Sequence, residues 1–222
     1  LLADLTDSVA SLVLADNESQ SLSVSLDELR TKDALDDFRD VMSSLERSGG
    51  LDRAAEHLPT WEELCNRVEE QGQSLTRPEL SVLLAYAKMD LMSQLLRSEL
   101  PDDPAIDGYL RHYFPEAALR AAGEESLMAH RLRRPIVACQ LTNDLMGLMG
   151  ATFVNRVARD TGRAPADVAR AWLIASHLAG HQELVKRVSG TEGGLPSRVA
   201  YRWLLGLSRV LERTTRWLLS NV

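Results

Sequence analysis

The sequence predicts an all-α fold, an irregular bundle of roughly eight to ten helices. Apolar residues recur at helical spacing in nearly every segment, and only residues 21–26 alternate with period two. The chain has 222 residues with a hydrophobic share of 45%, enough to bury a core. No repeat with a fixed period is evident, so a regular solenoid is not predicted.

The first 50 residues predict two helices separated by an extended linker. Residues 1–16 form the first helix, with Leu2, Leu5, Val9, Leu12 and Val13 on one face. Residues 21–26 are interpreted as the linker, and an edge strand is the alternative, although a lone strand is unstable. Ser25 and Glu28 form a capping-box pattern that predicts a second helix to about Arg47.

The middle of the chain carries the strongest helix-start signals. A short helix is predicted for residues 51–58, and Thr60 with Glu63 predicts a capping box for a helix that ends near Gly72. Thr76 and Glu79 repeat that pattern, and the helix after them is predicted to reach about residue 100. Its apolar face comprises Leu80, Leu84, Ala87, Leu91 and Leu95.

Prolines and glycines divide the second half of the chain. Pro104 is predicted to begin a short helix that Tyr113-Phe114-Pro115 breaks, and residues 116–132 are predicted to hold one or two helices. Pro135 is predicted to begin the longest central helix, to about residue 161. The other predicted segments are a helix from Pro165 to His177 or beyond, a loop at 189–196, and a last helix over 197–220.

The last predicted helix has a pronounced apolar face that other helices must cover. Trp203, Val210 and Trp217 are interpreted as widening this face, and its leucines at positions 204, 207 and 211 are predicted to be buried. The predicted stripe comprises Ala200, Leu204, Leu207, Leu211, Thr214 and Leu218. The polar side is predicted to hold Arg202, Arg209, Arg213 and Arg216.

Charge is unevenly distributed along the chain. Residues 1–122 hold 24 acidic and 11 basic side chains, whereas residues 123–222 hold 8 and 14. The acidic first half argues against nucleic acid as the main partner. Two solvated surfaces of opposite sign are one interpretation. The other is that the acidic half docks on the basic half of this chain, of a longer parent chain, or of a neighbouring subunit.

Three polar groups are candidate sites. His177 and His181 have a spacing that can hold zinc, but Leu178 stands where a hydrolytic zinc helix needs glutamate. Asn143-Asp144 lies inside an apolar segment, where polar side chains usually bond to a neighbouring helix. Arg131, Arg133 and Arg134 can bind an anion or an acidic partner, or form internal salt bridges. We expect helix-end or surface histidines, a structural Asn143-Asp144 pair, and arginines that are solvated or form internal salt bridges.

The sequence names no catalytic, cofactor-binding or metal-binding residue. It has no glycine-rich dinucleotide fingerprint and no P-loop. Its three lysines, Lys32, Lys88 and Lys186, lie in no glycine-rich or strand-end setting that would lower their pKa values for amino-acid chemistry. Gly147 and Gly150 suggest a kink or a close helix approach.

The cysteine content and the lengths of the apolar runs predict the cellular compartment. Cys65 and Cys139 lie far apart and form no pair motif, which favours a reducing cytoplasm. No apolar run approaches the ~18 residues that a membrane span needs, so we expect no membrane partner. The chain begins at Leu1 without a methionine, and we expect it to be part of a longer protein.

Several motifs together resemble a known family. They are Leu75-Thr-Arg-Pro-Glu-Leu-Ser-Val-Leu-Leu-Ala-Tyr-Ala-Lys-Met-Asp-Leu91, Leu100-Pro-Asp-Asp-Pro104, Tyr113-Phe-Pro115, His130-Arg-Leu-Arg-Arg134 and Glu212-Arg-Thr-Thr-Arg-Trp-Leu-Leu219. In this order they are similar to the C-terminal region of the large bacterial NAD-specific glutamate dehydrogenases. Residues 1–14 resemble the segment just after that family's catalytic domain.

The resemblance implies a function that the residues alone do not. Enzymes of this family oxidise L-glutamate to 2-oxoglutarate and ammonia with NAD, and their cofactor loop and catalytic lysine and aspartate lie upstream. No residue here matches those motifs, so none is assigned a role. Residues 1–74 are then an acidic helical segment following the catalytic domain, and residues 75–222 a C-terminal helical domain. We expect it to brace the catalytic domain or to join subunits of a homo-oligomer; a free-standing helical adaptor is the alternative.

Overall fold

The computed structural model describes residues 2–31, 33–189 and 195–221, and all their regular structure is helical. The all-α prediction is therefore confirmed. Short 3₁₀ turns lie at Leu100–Asp102 and Pro104–Ile106. The twelve α-helices of these residues are α1 (Leu2–Arg30), α2 (Leu35–Arg47), α3 (Trp61–Gln71), α4 (Arg77–Leu96), α5 (Asp107–Tyr113), α6 (Glu116–Ala122), α7 (Glu124–Met128), α8 (Arg133–Met149), α9 (Phe153–Thr161), α10 (Pro165–Ala179), α11 (His181–Ser189) and α12 (Ser197–Asn221).

Helices α4 and α8 form the centre of the bundle. They pack on each other, α1 lies across both, α5 packs on α8, and α2 packs on α4. Helix α12 packs mainly on α10, with contacts to α9 and α11. One continuous cluster of buried apolar side chains runs through these helices, so residues on both sides of position 74 share a core.

The two predicted capping boxes hold the starts of α3 and α4. The Glu63 carboxylate accepts the Thr60 N–H at 2.7 Å, and Thr60 accepts the Glu63 N–H at 3.2 Å. The Glu79 carboxylate accepts the Thr76 N–H at 2.6 Å. All five residues of the predicted α4 stripe are buried, so this element is confirmed from its cap to its core face.

The predicted linker at residues 21–26 is wrong, and so is its edge-strand alternative, because helix α1 continues through this segment. The Ser25 hydroxyl donates to the Ser21 carbonyl at 2.9 Å, and the Ser23 hydroxyl donates to the Met146 carbonyl at 2.8 Å. Serines that bond in this way are tolerated inside a helix. Ser25 therefore caps nothing, and the break falls between α1 and the start of α2 at Leu35.

The predicted helix at residues 51–58 is also wrong. This segment forms turns in which Asp52 Oδ1 accepts the N–H groups of Ala54 and Ala55 at 3.1 and 3.0 Å. An aspartate side chain that captures nearby N–H groups competes with the helix ladder. His57 has a left-handed backbone with φ of 53°, which further excludes a regular helix there.

The predicted central helix is divided at Gly150 into α8 and α9. Gly150 has φ of +79°, and a Cβ atom built there would lie 2.0 Å from Asp27 Oδ1. Asp27 accepts the Ala151 N–H at 2.9 Å, and Arg30 donates to the Leu148 carbonyl at 2.6 Å. The close approach predicted for Gly147 is confirmed, because a Cβ there would lie 2.8 Å from Ser19 Oγ.

The next two helices meet at Gly180. It adopts a left-handed conformation with φ of +59° and ends α10, so His181 begins a separate helix, α11. The predicted loop at 189–196 largely lies outside the described residues, which resume at Leu195 and Pro196, neither of them helical. Helix α12 begins at Ser197, as predicted.

The faces of α12 differ in part from the prediction. Ala200, Leu204 and Leu211 are buried as predicted, whereas Leu207 is only half-buried. The packed face is completed by Ser208, Thr215 and Leu219. The prediction is wrong for Trp203, Val210 and Trp217, which are exposed. Ser208 and Thr215 can lie on a packed face because their hydroxyls donate to carbonyls of the same helix, at 2.9 and 2.8 Å.

Candidate functional site

A polar cluster inside the bundle is centred on Asp144 of α8. Its carboxylate, 21% exposed, accepts the Tyr109 hydroxyl at 2.6 Å and the Gln182 amide at 3.1 Å. His181 Nε2 lies 3.2 Å from the same carboxylate, and the imidazole packs edge-on against the Trp172 ring. The cluster therefore joins α5, α8, α10 and α11.

The Asp144 cluster is a structural link. Asp144 bonds to neighbouring helices, as predicted for a polar residue within an apolar helix. His177 and His181 lie at helix ends on either side of Gly180, but His181 is buried, so its predicted surface alternative is wrong. The sequence gives no signal for Tyr109 as the partner, because it lies 35 residues from Asp144.

Hydrogen bonds decide the ionisation of the Asp144 cluster. Burial acts to raise the pKa of Asp144, but the hydrogen bond from His181, the charge that His181 carries when protonated, and the bonds from Tyr109 and Gln182 outweigh it. The pKa of Asp144 is therefore lowered. The pKa of Tyr109 is raised, by burial first and by the adjacent Asp144 charge second.

We expect Asp144→Asn to destabilise the fold near neutral pH by about 1–3 kcal/mol, the range for a buried, charge-assisted hydrogen-bond acceptor. A carboxyl group whose pKa is lowered by folding contributes stability above its unfolded value of about 3.9 and loses it as the pH falls through the folded pKa. The difference between wild type and variant should therefore shrink below about pH 4. Urea unfolding at pH 7, 5, 4 and 3 measures this.

The matched control is Asp167→Asn, at an acidic residue in the first turn of α10. We expect it to change stability by at most about 0.5 kcal/mol, as for most surface substitutions. An Asp144→Asn deficit that stays constant from pH 7 to pH 3 would contradict the linkage.

The arginine cluster lies at the start of α8, and two of its three members form the internal salt bridges that were predicted. Arg133 forms salt bridges with Asp107 and, at 3.5 Å, with Asp102. Arg134 also pairs with Asp102 and donates to the Leu96 carbonyl at 2.8 Å. Arg131 is exposed. These bonds fix the start of α8 against the turn that follows α4.

A second set of ion pairs joins the acidic and basic halves of the chain. Arg156 of α9 donates to both oxygens of Glu212, at 3.2 and 2.6 Å, and to Asp37 of α2 at 2.8 Å. Arg159 pairs with Asp40 of α2. Burial acts to raise the pKa of Glu212, but the Arg156 hydrogen bonds and charge lower it below its usual value. Some of the acidic side chains of the first half are therefore neutralised by basic side chains of the second half of this chain.

The sequence gives no signal for the environment of Lys88. Burial lowers its pKa, with a smaller opposing effect from the nearby Asp16 charge. Cys139 lies near the same two residues, and burial raises the pKa of its thiol. A raised pKa reduces the thiolate fraction, so this cysteine is a poor nucleophile.

A cleft with a volume of about 800 Å³ lies among α2, α4, α8 and α9. Its walls carry both signs of charge, among them Arg47, Asp90 and Arg159. Over residues 2–31, 33–189 and 195–221, no group of three His, Cys, Asp or Glu side chains is placed to hold a metal ion. We assign no substrate or metal to this cleft.

Within the described residues, exposed large apolar side chains are most numerous on two helices. On α12 these are Trp203, Val210 and Trp217, and on the first half of α1 they include Val9 and Val13. Large exposed apolar patches mark interaction surfaces. None of the described helices is long and apolar enough to cross a membrane.

These features define an all-helical domain whose polar clusters tie its own helices together. Residues 72–222 match the sequence family described as glutamate dehydrogenase, C-terminal. The chain belongs to this family.

Individual relatives align with almost the whole length of the chain. An NAD-specific glutamate dehydrogenase of Halomonas elongata is 42% identical over 219 residues, covering 99% of this chain and 14% of the relative. The enzyme of the same name from Pseudomonas aeruginosa is 37% identical over 221 residues, covering 100% and 14%. The one from Mycobacterium tuberculosis is 35% identical over 220 residues, covering 99% and 13%. The chain thus spans about a seventh of these relatives.

Proposed function

We propose that this chain is the C-terminal part of an NAD-specific glutamate dehydrogenase. The whole enzyme would oxidise L-glutamate to 2-oxoglutarate and ammonia and transfer hydride to NAD. The observation that carries the proposal is identity of 35–42% to enzymes of that name along the entire chain. Chemistry and NAD binding would belong to the remainder of the enzyme, since no residue here matches a dinucleotide fingerprint.

Within that enzyme we propose a structural role, either bracing the catalytic domain or joining subunits of a homo-oligomer. The exposed apolar residues of α12 and α1 support it, because such surfaces are normally covered by protein. The family match begins at residue 72, close to the proposed boundary between residues 1–74 and 75–222. A cytoplasmic location is part of the proposal, and free thiols at Cys65 and Cys139 are compatible with it.

The test compares the complete reading frame with the 222-residue chain. The complete protein should form NADH when given glutamate and NAD, and the chain alone should form none. Calorimetric titration of the chain with NAD should give no heat of binding at micromolar concentrations. A reading frame without a dehydrogenase domain, or micromolar NAD affinity of the chain alone, would overturn the proposal.

A free-standing helical adaptor is the second candidate. The exposed tryptophans of α12 favour it, because aromatic residues are enriched in protein interfaces. The same reading frame discriminates between the two functions, since an adaptor would have its start codon close to Leu1.

A further inference from the structure

The cleft among α2, α4, α8 and α9 has a base of small and apolar side chains. Its volume of about 800 Å³ lies within the range of about 300–1,000 Å³ that is typical of small-molecule sites. Ala87, Ala151 and Ala158 line it, and because their side chains end at Cβ they leave space between the helices. Leu91 and Met146 add buried apolar surface. The base therefore accepts many ligands, and specificity depends on the polar walls.

Three of the five charged side chains that the described part of the chain places on this cleft are already paired within the protein. Asp40 of α2 forms a salt bridge with Arg159 of α9. Glu46 accepts two hydrogen bonds from Arg53, at 2.8 and 2.5 Å. These carboxylates and guanidinium groups have partners of opposite charge without any ligand, so they contribute to the shape of the walls rather than to binding.

The other two charged side chains of the walls, one of each sign, form no salt bridge with any residue that the structure describes. Arg47 of α2 donates its Nε to the Ser43 carbonyl at 3.2 Å, and its two terminal amino groups make no further hydrogen bond in the described chain. Asp90 of α4 accepts the Gln94 amide at 2.7 Å, although a carboxylate has about four acceptor sites. The cleft therefore presents one cation and one anion with bonding capacity to spare.

Uncharged polar groups of the walls are available in the same way. Serines inside helices commonly donate to a carbonyl of their own helix, as Ser81 and Ser208 do at 2.8 and 2.9 Å. The hydroxyls of Ser43 and Ser44 and the side-chain amide of Asn155 make no hydrogen bond to any described residue, although all three residues are half-buried. Since they line the cleft, these groups can bond to a molecule inside it.

We infer that this cleft binds a small zwitterion that carries an ammonium and a carboxylate group, as a free amino acid does. Arg47 holds the carboxylate and Asp90 holds the ammonium group through charge-assisted hydrogen bonds. Ser44 and Asn155 supply further donors and acceptors.

The two unpaired charges select this class of ligand. A ligand with a single charge is attracted by one of the two groups and repelled by the other. A neutral ligand displaces water from both charges and replaces it with no partner of opposite sign, which is unfavourable. The inference concerns binding alone and does not rest on the proposed dehydrogenase function.

The first experiment titrates the ¹⁵N-labelled 222-residue chain at pH 7 and follows its NMR spectrum. Glycine, β-alanine and γ-aminobutyrate carry both charges at increasing separation, whereas butyrate and n-butylamine carry one charge each. The tightest zwitterion should have a dissociation constant of roughly 1 mM, as expected for so small a ligand. The single-charge probes should bind about tenfold more weakly, because each lacks one charge-assisted contact.

The side-chain amides of Asn155 and Gln94 locate the binding site. Their NMR signals should shift during the titration, whereas the amide of Gln182, which bonds to Asp144 in a different cluster, should not. The inference is overturned if no zwitterion binds at about 50 mM, if butyrate or n-butylamine binds as tightly as the best zwitterion, or if the Asn155 and Gln94 signals stay in place.

Two charge-removing variants then assign the roles of the two walls. Arg47→Gln should weaken zwitterion binding by about tenfold but bind n-butylamine no more weakly than wild type, because the repelling charge is gone. Asp90→Asn should have the converse pattern, with the loss for the zwitterion and none for butyrate.

The matched controls are Arg131→Gln and Asp7→Asn, at exposed positions outside the cleft, and both should bind the zwitterion like wild type. All four variants should keep the wild-type helical circular dichroism. Wild-type affinity of Arg47→Gln or Asp90→Asn for the zwitterion, or an equal loss for all probes, overturns the assignment. The dehydrogenase assay of the complete protein does not depend on this result, so the two proposals fail separately.

Discussion

Gly150→Ala is expected to destabilise the fold more than any other single methyl addition considered for this chain. Gly150 combines φ of +79° with a Cβ position 2.0 Å from the buried Asp27 carboxylate and 2.5 Å from Arg30 Nη1. The backbone conformation alone costs a non-glycine residue about 1–3 kcal/mol. Displacing Asp27 would separate it from Arg30 and the Ala151 N–H, and breaking a buried ion pair costs about 3–5 kcal/mol.

The expected total for Gly150→Ala, about 4–8 kcal/mol, compares with a typical folding stability of about 5–15 kcal/mol. We therefore expect poor soluble yield or a midpoint far below wild type in thermal denaturation followed by circular dichroism. Gly162→Ala is the matched control, because Gly162 has φ of +68° but nothing within 4 Å of its Cβ position. It should cost only about 1–2 kcal/mol.

A second variant shows whether the carboxylate is the cause. Combining Gly150→Ala with Asp27→Ala removes the atom that the new methyl group would meet. The double variant should therefore lose less stability than the sum of the losses of the two single variants, as expected for residues in contact. If Gly150→Ala melts at the same temperature as Gly162→Ala, the Asp27 carboxylate presents no steric barrier.

Helices whose boundaries are set by local chemistry could be predicted from the sequence. Helices α3 and α4 begin with capping boxes, which involve residues only three apart, and their apolar faces lie within the same segment. The start of α12 and the breaks at Pro115 and Gly162 have equally local causes. Each of these predictions needed no knowledge of the rest of the fold.

Tertiary contacts set the boundaries that the sequence did not reveal. Helix α1 continues through an alternating Ser/Val/Leu segment because Ser23 donates to Met146, 123 residues away. The central helix breaks at Gly150 because Asp27 and Arg30 bind the backbone of residues 148–151. Neither partner can be identified from spacing along the chain. The glycine itself was recognisable, but the sequence left a kink and a close approach as alternatives.

The candidate surfaces show the same division between local and distant causes. Asp144 was recognised as a structural polar residue, but its partners Tyr109 and His181 come from distant segments. On α12, apolar residues occupy two stripes, and periodicity alone does not say which stripe packs on the core. Ser208 and Thr215 lie on the packed side although they are polar, and Trp203 and Trp217 lie outside.

Leu211→Ala is expected to have the second large effect, because it truncates a fully buried side chain in the middle of α12. Such truncations cost about 2–5 kcal/mol through lost apolar burial and the cavity that remains. For a chain of this size, a loss of that magnitude lowers the thermal midpoint by roughly 4–20 °C. Thermal denaturation followed by circular dichroism measures the effect.

Two further leucines provide a graded series with the same chemical change. Leu207→Ala should cost less than Leu211→Ala, because Leu207 is half-buried. Leu178→Ala, at a position of α10 that is 73% exposed, should change stability by at most about 0.5 kcal/mol. The order Leu211, Leu207, Leu178 therefore follows burial rather than residue type. A larger loss for Leu207→Ala than for Leu211→Ala would mean that Leu207 lies deeper in the core than Leu211, and the burial assigned to the two positions of α12 would be wrong.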